Sequence, residues 1–175
     1  VTKSLADLVG GLSAQKIIWS MVPAGKATEE VIFGADGLSG LLKRGDIIID
    51  GGNSLYKDSQ RRAKDLEKIG IEFLDVGTSG GPSGARNGAS LMVGGKREIF
   101  DKLEGLFQDL AVGGGYVYAG SAGAGHFVKM VHNGIEYAEI QMLAEAYDFL
   151  KNLYRLTHEE IADIFKAWNE GPLNS

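Results

Sequence analysis

The sequence predicts an α/β fold, a parallel sheet followed by helices, and three observations predict it. Short β-rich apolar runs alternate with amphipathic stretches over the first two-thirds of the chain. Glycines cluster in short loops directly after those runs. From Gly120 onward the pattern becomes helical almost to the end. Strands spaced by crossover helices imply a parallel sheet, and ligands of such sheets bind beyond the carboxyl ends of the strands.

The elements follow in order. Leu5, Leu8, Val9 and Leu12 open the chain on a helical spacing. Ile17 to Val22 is a strand, stopped by Pro23, and a helix is expected over Thr28 to Leu42. Asp46 to Asp50 is the next strand and leads into the loop Gly51-Gly52-Asn53-Ser54. A charged helix follows from Tyr56 to Ile69, with Leu66 and Ile69 apolar. Ile71 to Val76 is a strand, Gly77 to Gly84 a loop, Ser90 to Val93 a strand, Ile99 to Leu110 a helix and Tyr116 to Tyr118 a last short strand. Gly120, Gly123 and Gly125 then mark a domain boundary between 1–120 and 121–175. A long helix is expected from Gly125 to Asn152. Thr157 and Glu160 have the spacing of a capping box for a second helix, which carries Ile161, Ile164, Phe165 and Trp168. Two amphipathic helices cannot bury their apolar faces alone, so these residues must pack on the sheet domain, on another subunit or on further sequence.

Composition narrows the function classes. The 175 residues are 44% hydrophobic and 23% charged, as expected of a globular protein. A net charge of −5 with scattered basic doublets (Lys43-Arg44, Arg61-Arg62, Lys96-Arg97) leaves no footprint for nucleic acid. No apolar run approaches a membrane span, and no signal-peptide pattern opens the chain. The lack of cysteine excludes disulfides and thiolate chemistry and fits a cytoplasmic protein. The 26 glycines are about twice the usual share of roughly 7%. No Gly-x-Gly-x-x-Gly follows a strand, and the run ends at Gly171-Pro172-Leu173-Asn174-Ser175. The chain therefore reads as an interior fragment that has lost its first βαβ unit.

The segment Lys129 to Tyr137 is the most informative. Lys129, His132, Asn133, Glu136 and Tyr137 fall at i, i+3, i+4, i+7 and i+8 and make one helical stripe. Phe127, Val131, Ile135, Ala138 and Met142 make an apolar stripe on roughly the opposite side, expected as the packing face. An amine, an imidazole, an amide, a carboxylate and a phenol together can move protons and orient a polyhydroxylated anion. A bland polar face remains the alternative on geometry alone.

These segments resemble the 6-phosphogluconate dehydrogenase family. The matching runs are Met21 to Gly25, Ile49 to Ser54, Ser79-Gly80-Gly81 with Gly84-Ala85-Arg86, Ser90 to Gly95, and Gly123 to Tyr137. They stand in the family's order and cover most of the chain. The Met-Val-Pro-Ala-Gly form and the brief Gly113-Gly114-Gly115 connection resemble its shorter bacterial branch. The resemblance implies the C-terminal part of a Rossmann-type NAD(P)-binding domain, then the first helices of an all-α domain. It implies decarboxylating oxidation of 6-phosphogluconate in the pentose phosphate route, with NADP or NAD as cofactor, in a cytoplasmic homodimer or higher homo-oligomer when full length. Lys129 matches the general base, whose pKa burial or nearby positive charge should lower, and Glu136 matches the acid. Two helical turns separate them, roughly 10 Å along the axis. Asn133 and His132 match ligands of the substrate hydroxyls, Ser79, Gly80 and Gly81 the loop at its carboxylate, and Tyr137 a contact to its phosphate. Asn53 matches a residue between substrate and nicotinamide, and Val22, Pro23 and Ala24 match the cofactor-side loop.

Other readings stand beside these. Gly51-Gly52 also suits a plain strand-end turn, and Ser79-Gly80-Gly81 a plain loop. His126 reads as structural or helix-starting, His158 as exposed, and Trp19, Trp168 and the methionines as core. The histidines lack a metal-ligand arrangement, so no metal is expected. A near rival is another β-hydroxyacid dehydrogenase of the 3-hydroxyisobutyrate type, which needs no acid at Glu136. A rival of another class is a non-catalytic piece, because the segment taken alone lacks the cofactor fingerprint and is expected to be inactive.

Overall fold

A computed structural model describes residues 1–171 and packs as two compact units, Val1–Val131 and His132–Ser175. Pro172, Leu173, Asn174 and Ser175, on which the reading of an abrupt stop rests, lie outside the described residues.

The first unit holds a five-stranded sheet in the order β1 (Ile17–Ser20), β2 (Ile47–Asp50), β3 (Glu72–Ser79), β4 (Ala89–Gly95), β5 (Ala111–Gly120). Helices α1 (Leu5–Gly10), α2 (Lys26–Phe33), α3 (Leu38–Leu41), α4 (Tyr56–Lys68), α5 (Gly81–Asn87) and α6 (Arg97–Leu110) surround it. Alternation along the strands divides the core between the two faces. Ile47, Ile49, Leu74, Val76, Leu91 and Val93 pack with Phe100, Leu103 and Phe107 of α6. Ile18, Ile48 and Phe73 face the other way, onto Val9, Ile32, Leu38 and Leu66. Each such fully buried side chain contributes roughly 1.5–3 kcal/mol of hydrophobic stabilisation.

The α/β class holds, but the sheet is mixed. β1, β2 and β3 run parallel, β3 and β4 antiparallel, and β4 and β5 parallel again. The connection Gly80–Gly88 explains the reversal, since a parallel crossover needs about a dozen residues or more. Its helix α5 lets the chain only turn back beside β3.

Several element bounds also depart from expectation. The helix expected over Thr28 to Leu42 is two helices, because the backbone turns extended at Gly34 (ψ 171°) and again at Gly37 (ψ 165°). The first strand ends at Ser20, leaving Met21 and Val22 in the loop. β3 runs on through Gly77, Thr78 and Ser79, which pair with Met92, Leu91 and Ser90, so only Gly80 and its successors leave the strand. β5 starts at Ala111 with a register shift before Tyr116, so the triple glycine lies inside a bulged strand.

Helix α7 (Ala124–Asn152) begins in the first unit and continues in the second. There α8 (His158–Glu170) starts on the expected capping box: Glu160 N–H donates to Thr157 Oγ1, and the Glu160 carboxylate accepts from Thr157 N–H. Ile161 is buried. The expected packing face is solvent-exposed: Phe127 and Val131 are open in the first unit, Ile135 (59% exposed) and Met142 (62%) in the second. Trp168, Met21 and Met130 are exposed as well, and Trp19 only borders the core; of the four methionines, Met92 alone is buried.

Candidate functional site

Ser20 and Asp50, which end β1 and β2, and Asp75, midway along β3, form a row of buried polar residues in register. The strand sequences place them there: each follows an apolar run on the face shared with Ile18, Ile48 and Phe73.

Asp50 organises the Gly51–Ser54 loop. Its Oδ1 accepts from Gly52 N–H at 3.0 Å and its Oδ2 from Ser54 Oγ at 2.7 Å. Arg62 of α4, fully buried, donates Nη1 to the same Oδ2 at 3.1 Å and Nε to Glu29 at 2.7 Å. Burial pushes the Glu29 carboxyl up, but hydrogen bonds and charge from Arg61 and Arg62 outweigh it and hold the group below its ordinary value. Asn53 stands at the loop's tip with φ 54°, a left-handed conformation that asparagine tolerates. Its amide clamps Thr78 of β3, with Nδ2 donating to Thr78 O at 3.0 Å and Oδ1 accepting from Thr78 N–H at 2.9 Å.

The loop after β1 meets the same place. The carbonyl of Val22 occupies the space where a side chain at position 52 would begin, so glycine is required there. Pro23 O accepts from the Thr28 hydroxyl of α2 at 3.0 Å, and Pro23 and Ala24 are exposed. An apolar cleft of about 700 Å³, lined by Trp19, Met21, Thr78, Gly84, Ala85 and Leu91 among others, opens beside these loops.

Lys129 is brought onto β3. The amine, 8% exposed as a residue, donates to Ser79 Oγ at 2.8 Å. The close approach depends on glycine. A Cβ at Gly77 would stand 2.5 Å from Lys129 Cβ and 2.7 Å from Gly125 O, and one at Gly125 would overlap Met92 O and Asp75 O. Asp75, fully buried, accepts from Gly123 N–H at 2.6 Å and His126 N–H at 2.8 Å, which caps the start of α7. Burial pushes the Asp75 carboxyl up, against the pull of those donors. His126 has the structural place expected of it: it is buried, with Nδ1 2.8 Å from Ser59 Oγ.

In the second unit, α7 carries the remaining stripe. His132 Nδ1 lies 3.4 Å from Asn133 Oδ1 and 3.8 Å from Glu136 Oε2, so imidazole, amide and carboxylate form one exposed group. Tyr137 is 69% exposed, and exposed His158 meets the Tyr147 hydroxyl. Within the first unit, Lys129 thus meets Ser79 directly, Asn53 binds the neighbouring Thr78, and Val22 abuts Gly52, the residue before Asn53. Gly80 (φ 126°) and Gly81 (φ 54°) follow Ser79 with their N–H groups at the start of α5. Sequence reasoning passed over Asp50, Arg62 and Asp75. The carboxylate that closes the isoleucine run of β2 is a signal for Asp50; Asp75 lies within its strand and Arg62 on a charged helix, and neither stands out in the sequence.

Residues 1–120 match the family described as the NAD binding domain of 6-phosphogluconate dehydrogenase, and residues 125–175 match the 6-phosphogluconate dehydrogenase C-terminal domain. The chain is 48% identical over 175 residues to the NAD(+)-dependent, decarboxylating 6-phosphogluconate dehydrogenase of Bacillus subtilis, an alignment covering 98% of this chain and 37% of that protein. It is 49% identical, with the same coverage, to the decarboxylating 6-phosphogluconate dehydrogenase of Bacillus licheniformis. The chain thus spans 37% of the length of these curated relatives. Among solved structures it is similar to Plasmodium falciparum 6-phosphogluconate dehydrogenase, described in apo form and in complex with its cofactor NADP+ and its substrate 6-phosphogluconate. The TM-score is 0.88 at 35% identity, over 98% of this chain and 37% of that one. Mycobacterium tuberculosis 3-hydroxyisobutyrate dehydrogenase shares the fold, with a TM-score of 0.79 at 22% identity over 99% of this chain and 56% of that one.

Proposed function

Because the chain belongs to the 6-phosphogluconate dehydrogenase family, we propose that the full-length protein carrying it oxidises and decarboxylates 6-phosphogluconate. The products are ribulose 5-phosphate and CO2, and NAD or NADP is reduced. The observation that carries this reading is the buried Lys129 amine on Ser79 Oγ, at the mouth of the Ser79-Gly80-Gly81 loop. A base held against a hydroxyl at a strand's carboxyl end suits abstraction of a substrate O–H proton.

The residues present fit the nicotinamide end of the cofactor. The loops bearing Val22, Pro23, Ala24 and Asn53 abut at Gly52, beside the apolar cleft that Trp19 and Met21 help to line. A nicotinamide held there would supply the acceptor for the hydride that leaves C3 of the sugar acid. Lys129 takes the proton from the C3 hydroxyl, and Ser79 Oγ orients the amine. The bond to the carboxylate carbon then breaks, its electron pair drawn toward the C3 carbonyl oxygen, which takes back the proton held by Lys129, and CO2 departs. Glu136 delivers a proton to C1 of the resulting enediol. Ser79, Gly80 and Gly81 hold the substrate carboxylate, where two glycines allow close backbone approach. His132 and Asn133 bind hydroxyls, and Tyr137 contacts the phosphate.

In this reading residues 1–120 are part of an NAD(P)-binding domain and residues 121–175 begin an all-helical one. The protein is a cytoplasmic homodimer or higher homo-oligomer, which the exposed apolar residues of α7, such as Ile135 and Met142, support. The test is an assay of the full-length protein with 6-phosphogluconate and with 3-hydroxyisobutyrate, following reduced nicotinamide and CO2 together. Faster turnover of 3-hydroxyisobutyrate would move the protein to the neighbouring β-hydroxyacid dehydrogenases.

A further inference from the structure

We propose that Asp75 is the positioning residue for Lys129, an inference that rests on the reading of Lys129 as the base. Alternate residues of a strand share a face, and β3 uses three of them in turn. Asp75 receives the start of α7, Gly77 lies under the Cβ of Lys129, and Ser79 receives its amine. The strand acts as a ruler along which the helix is set down. Of the three contacts, the one at Asp75 fixes the helix backbone.

A helix leaves its first four N–H groups without intrahelical partners, and a cap drawn from the adjoining residues would satisfy them locally. Here the acceptor comes from a strand 48 and 51 residues earlier in the chain, so the cap ties α7 to the sheet. Asp75 is fully buried and accepts two N–H groups at 2.6 and 2.8 Å. Its negative charge also suits the positive end of the helix dipole. His126, one of the two donors, is held from its other side by Ser59 of α4 at 2.8 Å. Lys129 follows His126 by three residues, one turn further on. A shift of this first turn is therefore passed to the amine without any change in the residues that touch substrate.

The test uses the full-length enzyme with Asp75→Leu, which keeps the branched shape and removes both acceptors, and Asp75→Asn, which keeps one. Turnover in Asp75→Leu should fall by about 10²-fold, the cost of roughly 1 Å of misplacement. The KM for the sugar acid should stay within about threefold, because groups that bind the ground state are untouched. Asp75→Asn should lie between the two, and the Gly123 and His126 amides should exchange hydrogen faster in Asp75→Leu. A kcat for Asp75→Leu equal to wild type, or equal losses in both variants, would overturn the proposal. If Asp75→Leu does not fold, the asparagine variant decides alone, and wild-type kcat in it would overturn the proposal. If the wild-type enzyme itself fails to turn over the sugar acid, the functional reading fails instead. Amide exchange at Gly123 and His126 then decides the positioning role, and unchanged exchange in Asp75→Leu counts against it.

Discussion

Replacing Gly77 by alanine should uncouple the lysine from its strand with the smallest possible change. The added carbon would stand 2.5 Å from Lys129 Cβ and 2.7 Å from the carbonyl oxygen of Gly125. Carbon atoms settle at roughly 3.5–4.0 Å from one another, so strand and helix must separate by about 1 Å. Neither neighbour can yield alone, because Gly125 already abuts the backbone of Met92 and Asp75. Overpacking of this kind costs about 1–3 kcal/mol of stability. A displacement of about 1 Å at a catalytic group costs on the order of 10²-fold in rate. Steady-state kinetics and denaturant unfolding of the full-length Gly77→Ala variant measure both. A variant with wild-type kcat and wild-type stability would refute the claim that this contact sets the position of Lys129.

Other perturbations separate the remaining parts of the account. Glu136→Ala should slow protonation of the enediol by roughly 10²–10⁴-fold, as for a positioned acid, and product analysis with solvent deuterium at the new C–H bond reads it out. Near-normal turnover would remove Glu136 from the mechanism. Arg62→Met leaves Asp50 buried without its cation and should cost about 3–5 kcal/mol in urea unfolding, whereas a loss under about 1 kcal/mol would mark the pair as dispensable. For Asp46, burial pushes the carboxyl up, but backbone N–H donors from Lys16 and Lys43 outweigh it and hold the group below its ordinary value. Its contribution to stability is therefore present above the unfolded pKa of about 3.9 and lost as pH falls through the lower folded value. The stability gap between wild type and Asp46→Asn should close on acidification in that window; a gap independent of pH would contradict the assignment.

Much of this architecture is written in local pattern. Isoleucine runs mark β1 and β2, the charged amphipathic stretch marks α4, and Thr157 with Glu160 marks the start of α8. What local pattern does not carry is pairing. Gly77, Thr78 and Ser79 have loop composition, yet they are strand because β4 supplies their partners. The direction of β4 follows from the length of the Gly80–Gly88 turn, which strand propensity does not encode. Of the candidate site, the polar stripe and the glycine loops were legible because the residue types are unusual at their spacing. Asp50, Arg62 and Asp75 escape because each looks like an ordinary charged residue until the fold buries it. The exposed stripe from Phe127 to Met142 has the composition of a packing face, and within these residues little covers it.

The most direct measurement is a single-turnover experiment on the full-length enzyme and its Lys129→Met variant, mixing each with 6-phosphogluconate and oxidised cofactor. The absorbance of reduced nicotinamide reports hydride transfer before any later step. If Lys129 is the base, the wild type forms reduced cofactor at a rate that accounts for its turnover, and the variant forms none while still binding the sugar acid. Reduced cofactor appearing in the variant at a rate close to that of the wild type would contradict the account.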